Sequence, residues 1–231
     1  GSGAIFFTNC TLKCLYCQNY EISHLGEGYE ISIEELAKIM LLLQNSHAHN
    51  INLVTPTHYL PQILLSLSIA VENGLKIPIV YNTSGYEKVE ILKYLDGIVD
   101  IYLPDAKYMD KDLALRLSKA KNYPEINEKC LIEIRRQIKD YEFDDRGIIL
   151  KGVIIRHLIL PDNIENSKKV LKMIYDNFGN DILISLMTQY HPCFKAINDL
   201  QIGRNINKKE FDEIYNCFKE LGFRDDLVQF I

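Results

Sequence analysis

Hydrophobic positions along the chain follow two alternating periods. Over residues 32–44, Ser32 and Glu35 form a capping-box pattern, and Leu36, Ile39, Met40 and Leu43 recur at helical spacing. This predicts an amphipathic helix. Short apolar runs with strand character fall at 4–8, 51–55, 77–82, 98–103, 153–160 and 182–187. Between and after them, helical periodicity returns at 60–72, 87–95, 111–118, 126–140, 164–177 and 208–221. Asp144-Asp145-Arg146-Gly147 reads as a turn, Gly179 as a helix stop, and 188–205 as a loop.

Several of the strands are apolar on both faces, as in Val153-Ile154-Ile155 and Ile182-Leu183-Ile184. A strand buried on both sides belongs to a parallel sheet covered by helices, so the fold class is α/β. Six strand–helix units are too few for a closed eightfold barrel, which leaves an open three-quarter barrel or a doubly wound sheet. Both gather ligands at the carboxyl ends of the strands. No Pro/Gly/Ser-rich linker divides the chain, so residues 1–231 are expected to form a single domain.

Composition narrows the function classes. With 47% hydrophobic and 25% charged residues, the chain is neither disordered nor a disulfide miniprotein. A net charge of −5 gives no reason to expect a nucleic-acid partner. The most apolar stretch, 63–71, is broken by Ser66 and Ser68 and falls far short of a bilayer span, so no membrane partner is expected. Without a signal-peptide pattern the expected compartment is the reducing cytoplasm, where clustered thiols read first as ligands or catalysts.

Three of the six cysteines lie in Cys10-Thr-Leu-Lys-Cys14-Leu-Tyr-Cys17, directly after the first strand. Three thiolates on one wrapped loop can hold an inorganic centre with one coordination position left open. A structural zinc site with His24 as fourth ligand, or a chance grouping of reduced thiols, is the alternative. Zinc knuckles normally come in pairs, and no second knuckle is visible. Cys130, Cys193 and Cys217 are isolated, and His47 and His49 sit in a helix-to-strand turn where solvated side chains are the rule.

The Cys-x3-Cys-x2-Cys spacing, with Tyr16 just before the last cysteine, resembles the radical S-adenosylmethionine (SAM) superfamily. Within it the chain is most similar to the activating enzymes of pyruvate formate-lyase and other glycyl radical enzymes, and to an uncharacterised branch related to them. The likeness runs through Gly1-Ser-Gly-Ala-Ile-Phe-Phe, Asn52-Leu-Val-Thr-Pro-Thr-His-Tyr, Asp105-Ala-Lys107 and Arg156-His157-Leu-Ile-Leu-Pro. It implies a partial (β/α)6 TIM-like barrel of the radical SAM type.

The resemblance further implies that Cys10, Cys14 and Cys17 bind three irons of a [4Fe-4S] cluster, that SAM chelates the fourth, and that Tyr16 lies near the adenine. One-electron reduction by a flavodoxin or ferredoxin would then cleave SAM to a 5′-deoxyadenosyl radical. The substrate would be a glycine Cα of a glycyl radical enzyme, with another peptide, RNA or a small molecule as the alternative. A non-catalytic zinc or iron–sulfur protein is the alternative from a different class.

Site residues follow strand by strand. Thr55 and Thr57 stand where the family usually has Gly-Gly-Glu receiving the SAM amino group, and here their hydroxyls are the available acceptors. Asn82 and Ser84 occupy the ribose-side turn. Asp105 belongs with the methionine group and a bound monovalent cation, which loses an anionic ligand because Asn82 replaces an acidic residue. Lys107 is matched to the SAM carboxylate. Of the adjacent Arg156 and His157 only one faces the interior, and Arg156, able to grip a carboxylate bidentately, is the better candidate. His191, in Gln189-Tyr190-His191-Pro192-Cys193, resembles a histidine placed near SAM, and Cys193 beside it is the isolated thiol best placed for a role.

Overall fold

The computed structural model describes residues 1–230. Six parallel strands lie in sequence order: β1 (Gly3–Phe6), β2 (Ile51–Val54), β3 (Ile79–Thr83), β4 (Ile101–Pro104), β6 (Ile149–Leu158) and β7 (Leu183–Met187). A two-residue strand, β5 (Glu142–Phe143), pairs antiparallel with the start of β6. The consecutive order fits the open barrel, since a doubly wound sheet reverses direction at a switch point. Among the described residues β1 pairs only with β2 and β7 only with β6, so the barrel is open on that side.

Helices cover the outside: α2 (Ile33–Asn45), α3 (Leu60–Glu72), α4 (Val89–Leu92), α5 (Lys111–Ser118), α6 (Tyr123–Gln137), α7 (Ile164–Phe178) and α8 (Lys208–Glu220). A short α1 (Tyr20–His24) lies just beyond the cysteine loop. The predicted Ser32/Glu35 capping box opens α2, and an equivalent Asn207/Glu210 box opens α8. α2 packs beside α3 and α7 beside α8. Among the described residues no helix is long and apolar enough to cross a membrane.

Strand alternation decides where the core lies. Ile51, Leu53, Tyr81, Tyr102, Ile155 and Leu186 are sealed against Met40, Ile63, Leu67, Val170, Ile174 and Phe218. The hydrophobic core is therefore the shell between sheet and helices, at roughly 1.5–3 kcal/mol per fully buried large apolar side chain. A second cluster of Leu12, Tyr16, Tyr108, Leu117, Tyr123, Leu160 and Tyr190 lies under the loops at the strands' carboxyl ends.

Three predicted boundaries move. The 87–95 helix is reduced to one turn plus a 3-10 turn at Lys93–Leu95, because Glu87 is drawn into a buried hydrogen-bond network. α6 begins at Tyr123, ahead of the expected residue 126, with Pro124 in its first turn, where the missing N–H costs nothing. β6 starts at residue 149, ahead of 153, since its first residues pair with the unpredicted β5.

Candidate active site

The cysteine loop is built onto the end of α5. Lys13 and Leu15 donate their backbone N–H groups to the carbonyls of Ser118 and Leu117, at 3.1 and 2.8 Å. These are carbonyls that a helix end leaves without intrahelical partners. Lys119, in the left-handed conformation, ends α5 and turns the chain away. From the other side, Lys195 and Ala196 donate to the carbonyl of Leu15.

Each thiol has one hydrogen-bond partner. Leu12 N–H donates to Cys10 Sγ at 3.4 Å, Ser118 Oγ–H donates to Cys14 Sγ at 3.0 Å, and Ser23 Oγ lies 2.9 Å from Cys17 Sγ. Burial pushes the Cys14 thiol up to about 11, against the pull of Lys107 and Ser118, and raises Cys10 for the same leading reason.

The three cysteines rim a cavity of about 400 Å³ inside the barrel mouth. Its walls come from the inward faces of the strands: Phe6 of β1, Asn52 and Val54 of β2, Asn82 of β3, Arg156 and Leu158 of β6. Thr55, Ser84, Asp105 and Lys107 follow at the strand ends, with Met187 and Gln189 at the end of β7. Gly85 makes the tight approach behind Ser84 possible: a Cβ there would fall 2.2 Å from the Asp105 carbonyl oxygen. A larger, more open groove of about 680 Å³ lies where α5, α7 and α8 begin, and none of the predicted site residues line it.

Asp105 is the electrostatic centre. Its two oxygens accept separately from Lys107 Nζ at 2.6 Å and Arg156 at 2.7 Å. Burial alone would raise this carboxyl, but Arg156 and Lys107 outweigh it and hold the group below the usual carboxylate range. Burial likewise opposes the charge on Lys107, and Asp105 more than restores it. Two cations against one anion leave this wall with a surplus positive charge. A monovalent cation beside Asp105 would share oxygens that already accept from Lys107 and Arg156.

Two buried polar atoms in the cavity wall have no partner among the described residues: Arg156 Nε, a donor, and Asn52 Oδ1, an acceptor. Such groups cost of order 1–3 kcal/mol when left unpaired. Together they ask for a ligand carrying both an acceptor and a donor. The surplus positive charge asks that the acceptor be anionic, and an α-amino acid moiety with its carboxylate and ammonium groups answers both demands. Thr55 adds a strained position, since its φ of 59° is costly for a β-branched residue.

The structure thus gathers Cys10, Cys14, Cys17, Tyr16, Thr55, Asn82, Ser84, Asp105, Lys107 and Arg156 around one cavity. Two predicted residues are placed elsewhere. Thr57 turns its hydroxyl to Glu87 at 2.6 Å, and His191 is exposed, with Nδ1 3.4 Å from Gln18 Nε2. His157 faces away from the cavity, donating from Nδ1 to the Ala106 carbonyl and accepting at Nε2 from Ser167; burial lowers it to about 4. Asn52 was not among the predicted residues, although a lone amide among Ile51, Leu53 and Val54 was the available signal.

Among the described residues no three His, Cys, Asp or Glu side chains converge on a single-ion site. All three thiols line the one cavity, and in a [4Fe-4S] cluster each thiolate takes a different iron. The donor set fits that cluster.

Residues 4–174 match the family model described as the Radical SAM superfamily. The chain belongs to the radical SAM superfamily. Enzymes of this family use a [4Fe-4S] cluster and SAM. Among curated relatives, the uncharacterised protein MJ0674 of Methanocaldococcus jannaschii is 34% identical over 222 residues, covering 92% of this chain. The chain spans 60% of that relative's length. The pyruvate formate-lyase-activating enzyme of Clostridium pasteurianum is 29% identical over 199 residues, covering 81% of this chain and 74% of its own. Among solved structures, Streptococcus suis SuiB bound to S-adenosylmethionine superposes with a TM-score of 0.63 at 13% identity, over 99% of this chain and 49% of that one. At that identity the likeness is one of fold, the partial barrel of radical SAM enzymes.

Proposed function

We propose that this radical SAM protein cleaves SAM reductively at a [4Fe-4S] cluster held by Cys10, Cys14 and Cys17, and thereby activates a glycyl radical enzyme. The observation that carries the first part is the pair of unpartnered atoms, Arg156 Nε and Asn52 Oδ1, in the cavity that the three thiols rim. When bound, the cluster and SAM supply the one-electron chemistry, C–S cleavage giving a 5′-deoxyadenosyl radical that takes a hydrogen atom from a glycine Cα.

The chain's own part is to bind and orient. Arg156 and Lys107 receive the methionine carboxylate, Asn52 Oδ1 and the Thr55 hydroxyl accept from the ammonium group, and Asp105 keeps the two cations in place. Asn82 and Ser84 serve the ribose, and the Tyr16 ring the adenine. Thr57 and His191 have no part in this reading. The electron donor is a flavodoxin or ferredoxin. The glycyl radical target is supported by the 29% identity to the Clostridium pasteurianum activating enzyme.

Anaerobic reconstitution with iron and sulfide tests the proposal. A cluster whose EPR spectrum changes on adding SAM, with 5′-deoxyadenosine formed after reduction, is the expected result; tight zinc without iron overturns it. The target is tested by incubating the loaded protein, SAM and reductant with the glycyl radical enzymes of the source genome. A doublet EPR signal on one of them is expected. 5′-Deoxyadenosine formation without such a signal retains the SAM chemistry and removes that target.

A further inference from the structure

A buried chain of hydroxyl groups ends on one of the three thiols. Tyr16 Oη lies 2.5 Å from Tyr108 Oη, Tyr108 Oη lies 2.7 Å from Ser118 Oγ, and Ser118 Oγ–H donates to Cys14 Sγ at 3.0 Å. Tyr16, Tyr108 and Ser118 are 6%, 1% and 1% exposed, so water does not compete for these bonds. A hydroxyl has one proton. Because Ser118 spends its proton on sulfur, it must accept from Tyr108, and Tyr108 must accept from Tyr16. Every hydroxyl therefore points toward Cys14, an order in which each bond polarises the next.

Neither other cysteine has such a chain. Cys10 accepts from one backbone amide at 3.4 Å, and Cys17 is paired with Ser23 alone. The positions of the three hydroxyls are fixed independently of any ligand. Ser118 is the last residue of α5, Tyr108 packs edge-on against Tyr123 at 5.4 Å, and Tyr16 packs against Tyr190 at 6.0 Å.

We infer that Ser118, aligned by Tyr108 and Tyr16, is a positioning residue that sets the reduction potential of the cluster through Cys14. This rests on the reading of Cys14 as a cluster ligand. A hydrogen bond to a ligating sulfur stabilises the more negative, reduced state and raises the potential. Its removal makes the cluster harder to reduce.

The test uses the reconstituted full chain. Redox titration followed by EPR compares the parent with Ser118→Ala, Ser118→Thr and Tyr108→Phe, and resonance Raman follows the Fe–S(Cys) stretches. Ser118→Ala is expected to lower the reduction equilibrium constant about tenfold, which is about 59 mV for one electron, and to shift the Raman bands. Tyr108→Phe shifts the potential in the same direction by less, and Ser118→Thr, which keeps the hydroxyl, stays near the parent.

An unchanged potential in Ser118→Ala with the cluster intact overturns the inference while leaving the proposed function standing. A parent that binds no cluster overturns both. Should Ser118→Ala fail to load iron, the result is decided by Tyr108→Phe: a lowered potential supports the relay, and a parental one removes it.

Discussion

The two faces of the barrel sheet are made from the same strands yet are held together differently. On β2, Ile51 and Leu53 face the helices and are sealed, while Asn52 and Val54 face the cavity and remain partly accessible. On β6, His157 is fully buried with both ring nitrogens bonded, and its neighbour Arg156 lines the cavity and has a buried, unpaired Nε. The outer face is stabilised chiefly by apolar volume, with His157 an example of a buried polar side chain bonded at both nitrogens. The inner face is kept in place by charge balance around Asp105 and carries two polar atoms, Asn52 Oδ1 and Arg156 Nε, without a partner among the described residues.

The strongest way to break the inner face is Asp105→Asn, which leaves Lys107 and Arg156 as neighbouring cations without their common partner. A loss of about 3–5 kcal/mol is expected in urea denaturation, together with loss of SAM binding in equilibrium dialysis. A near-parental stability would show that solvent entering the cavity already screens these charges.

Next in size is a matched pair on β2. Leu53→Ala is expected to cost about 3 kcal/mol through lost burial and a residual cavity, with SAM affinity retained. Asn52→Ala is expected to move stability by no more than about 1 kcal/mol, since its Oδ1 has no partner to lose, while weakening SAM binding. Equal stability losses at the two positions would dissolve the distinction between the faces.

On β6 the contrast is sharpened by pH. Burial lowers His157 to about 4 from the ordinary 6.5, so the unfolded chain takes up this proton first as pH falls. Its contribution is complete above about pH 6.5 and is lost as pH drops through that value toward 4. Between pH 8 and pH 5 the expected loss is about 2 kcal/mol. Compared by urea titration at both pH values, His157→Gln should show a slope shallower by that amount; parallel slopes would contradict a neutral, buried imidazole.

The smallest effect is expected where the faces meet. Thr55→Gly relieves the left-handed backbone, worth about 1–3 kcal/mol, against a glycine entropy cost of about 0.5–1 kcal/mol. A net gain of about 1 kcal/mol in urea denaturation would confirm the strain, and a loss would show that Thr55 packing outweighs it.

Much of this division was readable along the chain. Short apolar runs located all six parallel strands, and Cys10, Cys14 and Cys17 fall at the end of the barrel where the cavity lies. Period-two geometry allowed only one of Arg156 and His157 to face inward, and the carboxylate-gripping guanidinium favoured Arg156. What escaped was set by distant partners. The 87–95 helix broke up because Glu87 has Thr57, Thr83 and Tyr81 to bond, and Thr57 left the site for the same reason. β5 has two exposed residues with no pattern of their own and exists through its pairing with β6. Ser118 reads as an ordinary helical serine, since its meaning comes from a cysteine 104 positions away.

That separation bears on the order in which the protein becomes competent. Cys14 is synthesised ahead of Ser118 and has no hydroxyl donor until α5 has been made. The carbonyl of Tyr16 meets Cys193 only across 177 positions of chain. Contacts of such span form late, after intervening strands have paired. The cysteine loop is therefore made before the residues that shape it, and a nascent chain presents three loose thiols where the finished one presents a framed loop.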